Sequence, residues 1–356
     1  MRIGLVLGGG GVMGGAWLTG GLEALTRETG WDPADADYVV GTSAGAMIGA
    51  LCAAGIPPWF MVAHSAGEVF DGVVDAGGRP SGQADRAAGA VFRLHREWPR
   101  PGPGSWRLGV AALRHPARHT PAAMATGWLP RGVISTDPLR ETIRRVVPRG
   151  WAEHPALWIV ACDYVTGRRT VFGRDGAPAA ELADAVAASC AIPGFYRPVR
   201  IGDREYVDGG VRSPSNLDLL HDRGLDLVIC LNPTSTRDEL PGGNPVERVG
   251  AALRAASGRR LGTEARRLRA AGTRVVLIQP TARDRAVMGP NLMSRRRRNE
   301  VIATAIETVG EQLRRGHNRE QLGELPAGEP HKVARPAGPP SSWPRLAASA
   351  GRRTGR

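Results

Sequence analysis

Short apolar runs alternate with longer stretches of helical spacing along most of this chain. Ile3-Gly4-Leu5-Val6-Leu7 predicts a first buried strand, and the glycines that follow predict a turn into an apolar helix over 12–28. Tyr38-Val39-Val40 predicts a second strand, which feeds through Gly41-Thr42-Ser43-Ala44-Gly45 into an Ala-rich helix. Ser135-Thr136-Asp137-Pro138-Leu139 reads as a helix start, with a capping residue and a proline in the first turn. Trp158-Ile159-Val160-Ala161-Cys162-Asp163 predicts a further strand, with Arg169-Thr170-Val171-Phe172 pairing nearby as a hairpin. A small-residue helix over 181–188 leads to Ser189-Cys190-Ala191-Ile192-Pro193-Gly194-Phe195. Glu205-Tyr206-Val207 then runs into Asp208-Gly209-Gly210-Val211, by default a turn. Apolar strands over 225–231 and 273–278 complete the set. The alternation predicts an α/β fold, three layers deep, with a mainly parallel central sheet covered on both faces.

Two regions depart from it. Over 55–131 the alternation fades into Pro- and Gly-rich pieces, which predicts an insertion beside the site, a lid or cap, and not part of the sheet. Trp59, Trp98, Trp106 and Trp128 fall in or near it, either as ordinary packing or as aromatics that line an acyl pocket or rest on a lipid interface. A last helix is expected over 295–315, opening on Arg295-Arg296-Arg297-Arg298 and carrying Val301, Ile302, Ala305, Ile306, Val309 and Leu313 on one face. The main domain is thus expected over 1–320, followed by a disordered Arg/Pro/Gly-rich tail over 321–356.

Composition adjusts this picture modestly. The 356 residues carry a formal net charge of +13, and Lys332 is the only lysine among 47 basic residues. So strong an arginine skew accompanies abundant Ala, Gly and Pro and reflects coding bias in part, yet arginine binds anionic surfaces whatever its origin. Cys52, Cys162, Cys190 and Cys230 lie scattered in apolar surroundings without metal-ligand spacing, which predicts buried thiols in a reducing compartment. Glycines interrupt the apolar run after Arg2, so no signal peptide is expected, and no run is long enough to predict a spanning helix. The expectation is a cytoplasmic chain with peripheral contact to an anionic membrane surface; nothing calls for a nucleic-acid partner.

Candidate chemistry gathers at three small-residue turns. Gly41-Thr42-Ser43-Ala44-Gly45 has the Gly-x-Ser-x-Gly form of a nucleophile elbow, which holds a serine at a helix N-terminus where the dipole favours developing negative charge. The Gly8-Gly9-Gly10-Gly11 turn offers backbone N–H groups to an anion. Gly9-x-Gly11-x-x-Gly14 also fits a dinucleotide fingerprint, which leaves a nucleotide phosphate open beside a tetrahedral oxyanion; the second strand, however, ends in Gly41-Thr42-Ser43 and not in the acid a ribose needs. A base for Ser43 is either Asp208 or a histidine, and His221, His317 and His331, the histidines after Asp208, lie outside strand-end loops.

In order and spacing, Gly8-Gly9-Gly10-Gly11-Val12-Met13-Gly14, Gly41-Thr42-Ser43-Ala44-Gly45 and Asp208-Gly209-Gly210 resemble the three signature blocks of the patatin-like phospholipase family. Ser189-Cys190-Ala191-Ile192-Pro193 resembles its Ser-x-Ala-x-Pro block, so the likeness runs over about residues 3–280. The resemblance implies a patatin-like fold and a lipid acyl hydrolase with Ser43 as nucleophile and Asp208 as its partner. It further implies oxyanion N–H groups from Gly9, Gly10 and Gly11, a lipid or ester substrate, and neither cofactor nor metal. Met13 departs from the family, which usually carries Arg or Lys there, and Arg212 is a candidate to supply the missing charge. A catalytically silent lipid-binding or interaction module is the alternative from another class.

Overall fold

The computed structural model describes residues 1–68, 75–78, 91–99, 102–114, 126–236 and 245–328. The N-terminal half opens with β1 (Ile3–Leu7), α1 (Gly11–Thr29), β2 (Tyr38–Thr42), α2 (Ala44–Ala53) and α3 (Pro58–Ala66). After it come β3 (Arg93–Leu94), α4 (Trp106–Arg114), β4 (Ile134–Ser135) and α5 (Asp137–Arg144). Next are β5 (Leu157–Asp163), β6 (Arg169–Phe172), α6 (Leu182–Ser189), β7 (Val199–Ile201) and β8 (Arg204–Asp208). The C-terminal part consists of β9 (Leu227–Leu231), α7 (Pro245–Ala270), β10 (Arg274–Ile278), α8 (Ala282–Met288), α9 (Arg298–Arg314) and α10 (Gly316–Leu322).

An eight-stranded sheet runs in the order β10-β9-β1-β2-β5-β8-β7, with β6 also on β5. From β10 to β5 every pair is parallel, whereas β6, β7 and β8 join by antiparallel pairing. The sheet is therefore mixed, its parallel part built on strands buried along both faces. Alternate residues face opposite sides. Leu5, Val39, Ile159 and Ile229 join one core with α1, α2 and α9, while Val6, Val40, Val160 and Cys230 join a second core with Leu261, Ala265 and Leu268 of α7. Helix, sheet and helix thus form three layers.

One pairing detail decides where the site lies. Along β5, Ile159 to Cys162 pair with β6 on one edge. The other edge is shared: β2 runs parallel as far as Thr42 opposite Val160, and β8 runs antiparallel and ends with Asp208 opposite Ala161. The two strands meet head to head.

Differences from the expected elements are local. Helix α9 begins at Arg298, three residues later than Arg295, because Arg297 takes a left-handed φ of 62° and stops the helix there. Of the region 55–131, α3 packs against α1 and α9 and buries Trp59, while β3 pairs with β4 in a separate two-stranded sheet. Residues 69–74, 79–90, 100–101 and 115–125 of that region, and the tail beyond 328, lie outside the described residues. All four cysteines are buried and unpaired. No single helix among the described residues is long and apolar enough to cross a membrane.

Candidate active site

Ser43 stands between β2 and α2 with φ 55° and ψ −122°, a backbone state that L-residues avoid and that recurs where a strand turns directly into a helix. The flanking glycines are steric necessities. A Cβ on Gly45 would sit 1.9 Å from the Leu7 carbonyl oxygen, and one on Gly41 2.6 Å from Cα of Ala46. Ser43 itself is 6 % exposed. Its N–H donates to Oγ of Ser189 (2.9 Å), and that hydroxyl donates in turn to the Val160 carbonyl (2.6 Å). Cys190 Sγ contacts the Ser43 carbonyl at 3.1 Å. The Ser189-Cys190 block thus fixes the elbow from below by bonding its backbone.

Asp208 ends β8, and its N–H donates to the Ala191 carbonyl at 3.0 Å. Its carboxylate accepts the Gly210 N–H at 2.7 Å and the hydroxyl of Ser43. Burial raises its pKa from 3.8 to about 6, and the hydrogen bonds from Ser43 and Gly210 oppose the rise. No histidine among the described residues is hydrogen-bonded to either member of this pair: His221 pairs with Asp222, and His317 contacts Gln321.

The glycine turn closes the third side. Gly9 lies so near that a Cβ there would be 3.2 Å from Cβ of Ser43. Its N–H, however, already donates to the Pro214 carbonyl at 2.8 Å. The donor set expected from Gly9, Gly10 and Gly11 therefore contracts to the N–H groups of Gly10 and Gly11, which have no backbone acceptor among the described residues. Met13 does not face this opening. It is 2 % exposed in the core, and its N–H donates to the Leu292 carbonyl at 2.9 Å. Arg212, half-buried after the Asp-Gly-Gly turn, comes close enough to Cys162 to act on that thiol electrostatically.

Sequence reasoning missed the bracket that joins the three turns. Asn216, fully buried with a left-handed φ of 52°, donates through Nδ2 to Thr42 Oγ1 (3.0 Å) and to the Ser213 carbonyl (2.6 Å). Between them, Pro214 holds Gly9. Ser213 Oγ (2.8 Å), Ser215 Oγ (2.7 Å), the Leu217 N–H (3.1 Å) and Arg260 Nε (2.9 Å) all donate to the buried carboxylate of Glu264 on α7. In the sequence, Arg260 and Glu264 look like an ordinary i,i+4 surface pair, and nothing flags Glu264 as buried.

Two comparisons bear on this arrangement. The chain is similar to VipD from Legionella pneumophila at 16 % identity, covering 86 % of this chain and 67 % of that one with a TM-score of 0.36, a likeness too remote to carry an argument. The profile of the Patatin-like phospholipase family matches residues 5–221, an interval that holds the glycine turn, the elbow and the Asp-Gly-Gly turn together. With more than half of its length matched and its sheet and helices arranged in the corresponding layers, the chain belongs to the patatin-like phospholipase family, whose general activity is lipid acyl hydrolysis.

Proposed function

We propose that this protein is a serine lipid acyl hydrolase that cleaves carboxylic esters of lipids through an acyl-enzyme, with Ser43 as nucleophile and Asp208 as general base. The observation that carries the reading is the hydrogen bond between the Ser43 hydroxyl and a buried Asp208 carboxylate whose pKa is raised to about 6. An ordinary carboxylate is too weak a base to take a serine proton efficiently. Raising its pKa narrows that mismatch while leaving it ionised at neutral pH.

In the first half-reaction, Ser43 Oγ attacks the ester carbonyl carbon as its proton passes to Asp208. The carbonyl oxygen becomes an oxyanion, whose charge the N–H groups of Gly10 and Gly11, without backbone acceptors of their own among the described residues, and the N-terminal end of α2 would take up. Collapse of the tetrahedral intermediate breaks the C–O bond, and the leaving alcohol takes the proton back from Asp208. Water then repeats the sequence on the acyl-enzyme: Asp208 removes its proton, hydroxide adds to the carbonyl, and Ser43 leaves with the proton returned. The free carboxylate product needs no further group.

Hydrolysis of p-nitrophenyl esters graded from short to long acyl chains tests this, with the wild type, Ser43→Ala and Asp208→Asn in parallel. Loss of turnover in both folded variants is expected. Equal background in all three proteins with every ester would overturn the assignment and leave a silent lipid-binding module as the reading.

A further inference from the structure

Among the described residues, the exposed large apolar side chains concentrate in one stretch of chain. Trp98 is 77 % exposed, Trp106 61 %, Leu113 64 %, Trp128 47 % and Leu129 42 %. Such a concentration is unusual for a surface meant only for water.

On α4, Trp106, Val110 and Leu113 fall at i, i+4 and i+7, hence on one face, while Leu108 on the opposite side is fully buried. Gly109 leaves room for a second aromatic. A Cβ there would meet the Trp128 ring at 2.8 Å, so Trp128 lies directly on the helix next to Leu113 and Trp106. The result is a continuous apolar stripe with two indole rings. Arg107 and Arg114, both exposed and themselves seven residues apart, line one side of it, and the Arg107 guanidinium sits 5.6 Å from the Trp106 ring centre.

Charge reinforces the pattern. Between Glu97 and Asp137 the sequence contains no acidic residue, and Arg107 and Arg114 of that stretch stand exposed on α4. A docking protein surface usually offers both signs or a polar rim; indole rings set beside guanidinium groups suit the boundary of an anionic bilayer, where the rings occupy the headgroup level and the cations meet phosphate.

The stripe also joins the site. Leu129, next to Trp128, lies 3.5 Å from where a Cβ on Gly194 would be. Gly194 closes the segment whose Ala191 carbonyl holds the Asp208 N–H. Gly104 and Ser105, at the start of α4, donate back to the carbonyls of Leu129 and Gly127 at 2.8 Å and 3.2 Å.

We infer that α4 together with Trp128 and Leu129 is a docking face for an anionic lipid surface, set beside the Ser43 site so that a bilayer lipid reaches it without first dissolving in water. The inference rests on the lipid hydrolase reading for its purpose, but its test does not depend on turnover.

The full-length Ser43→Ala protein is sedimented with vesicles of phosphatidylcholine alone and of phosphatidylcholine containing phosphatidylglycerol. Tighter binding to the anionic vesicles is expected, weakening steeply as salt rises. Arg107→Glu with Arg114→Glu should lower the partition by about tenfold or more, and Trp106→Ala with Leu113→Ala should lower it on both vesicle types, with the unfolding midpoint unchanged in each. Binding equal in all variants, or indifferent to salt, overturns the proposal. So does a wild type that ignores vesicles but is dimeric by light scattering and becomes monomeric in Trp106→Ala, which would make the stripe a contact between copies. Turnover of a water-soluble ester by the wild type, measured separately, distinguishes the two readings: binding without turnover removes the hydrolase, and turnover without binding removes the docking face.

Discussion

Thr42 lies opposite Val160 and Asp208 opposite Ala161, so the residue before the elbow and the acid occupy consecutive rungs on one edge of β5. Neither side chain depends on a long loop for its place. The parallel strand delivers Ser43 upward and the antiparallel strand delivers Asp208 downward to the same point, and buried groups beneath hold both.

Removal of either partner has a defined expected cost. Ser43→Ala should lose turnover by at least about 10⁴-fold, since no nucleophile remains. Asp208→Asn should lose about 10²- to 10⁴-fold, the usual range for a general base. Steady-state kinetics on a soluble ester checks both. Labelling by a fluorophosphonate, which needs a nucleophilic serine, should vanish in the first and slow in the second.

The pH profile follows from Asp208. Only its ionised form can accept the serine proton, and its pKa is about 6. The ratio kcat/KM should therefore rise about tenfold per pH unit below 6 and level off above it. A profile rising only near an ordinary carboxylate pKa would mean that Asp208 is solvated during turnover.

The same shift has an opposite effect on stability. Folded Asp208 keeps its proton up to about 6, whereas an unburied carboxylate loses it near 3.8. The folded state therefore binds more protons in that window; the stabilisation is complete below 3.8 and is lost as pH rises through 6. At neutral pH, Asp208→Asn should raise stability by on the order of 1–3 kcal/mol while slowing turnover. Thermal unfolding of the two proteins at about pH 5 and about pH 8 should show the gap widening at the higher pH.

Gly45→Ala should be among the most damaging single methyl additions in the molecule. The new Cβ would lie 1.9 Å from the Leu7 carbonyl oxygen, which belongs to a central strand and has no freedom to retreat. Destabilisation of about 3 kcal/mol or more, or insoluble expression, is expected. Gly316→Ala is a suitable control, because that glycine, unlike Gly45, has nothing within 4 Å of its Cβ position and does not take a left-handed φ.

Glu264 should behave as a positioning residue far from the substrate. Glu264→Leu strands two serine hydroxyls, a backbone N–H and an arginine at once. A loss of about 3–5 kcal/mol is expected in denaturant titration. Glu264→Gln keeps the size and one acceptor oxygen. In it, kcat should fall several-fold with KM little changed, since Pro214 loosens its hold on Gly9 beside the elbow.

Much of this was legible in the residues. The strands beginning at Ile3 and Tyr38 show as apolar runs ending in glycine, and the elbow shows because sterics demand small residues on both sides of Ser43. The antiparallel arrival of β7 and β8 was not legible, because strand direction depends on connections and leaves no mark on alternation. Asn216 and Glu264 were hidden for a related reason. A buried polar side chain in a satisfied network looks, in sequence, like any solvated one. Gly9 illustrates the converse: its place beside Ser43 follows from the motif, but the capture of its N–H by Pro214 needs a partner more than two hundred residues along the chain, as the pair 9 and 214 shows.

The meeting of β2 and β8 on β5 makes assembly of the pair digital. Strand pairing slips only in whole residues, each about 3.3 Å. A slip of one rung would carry Asp208 out of reach of the Ser43 hydroxyl and turn it to the opposite side of the sheet. The serine and the acid are thus either in contact or apart by a full step. Drift in the surrounding loops cannot detune them gradually, and mutations on the sheet should produce molecules that are fully competent or inert, in varying proportion.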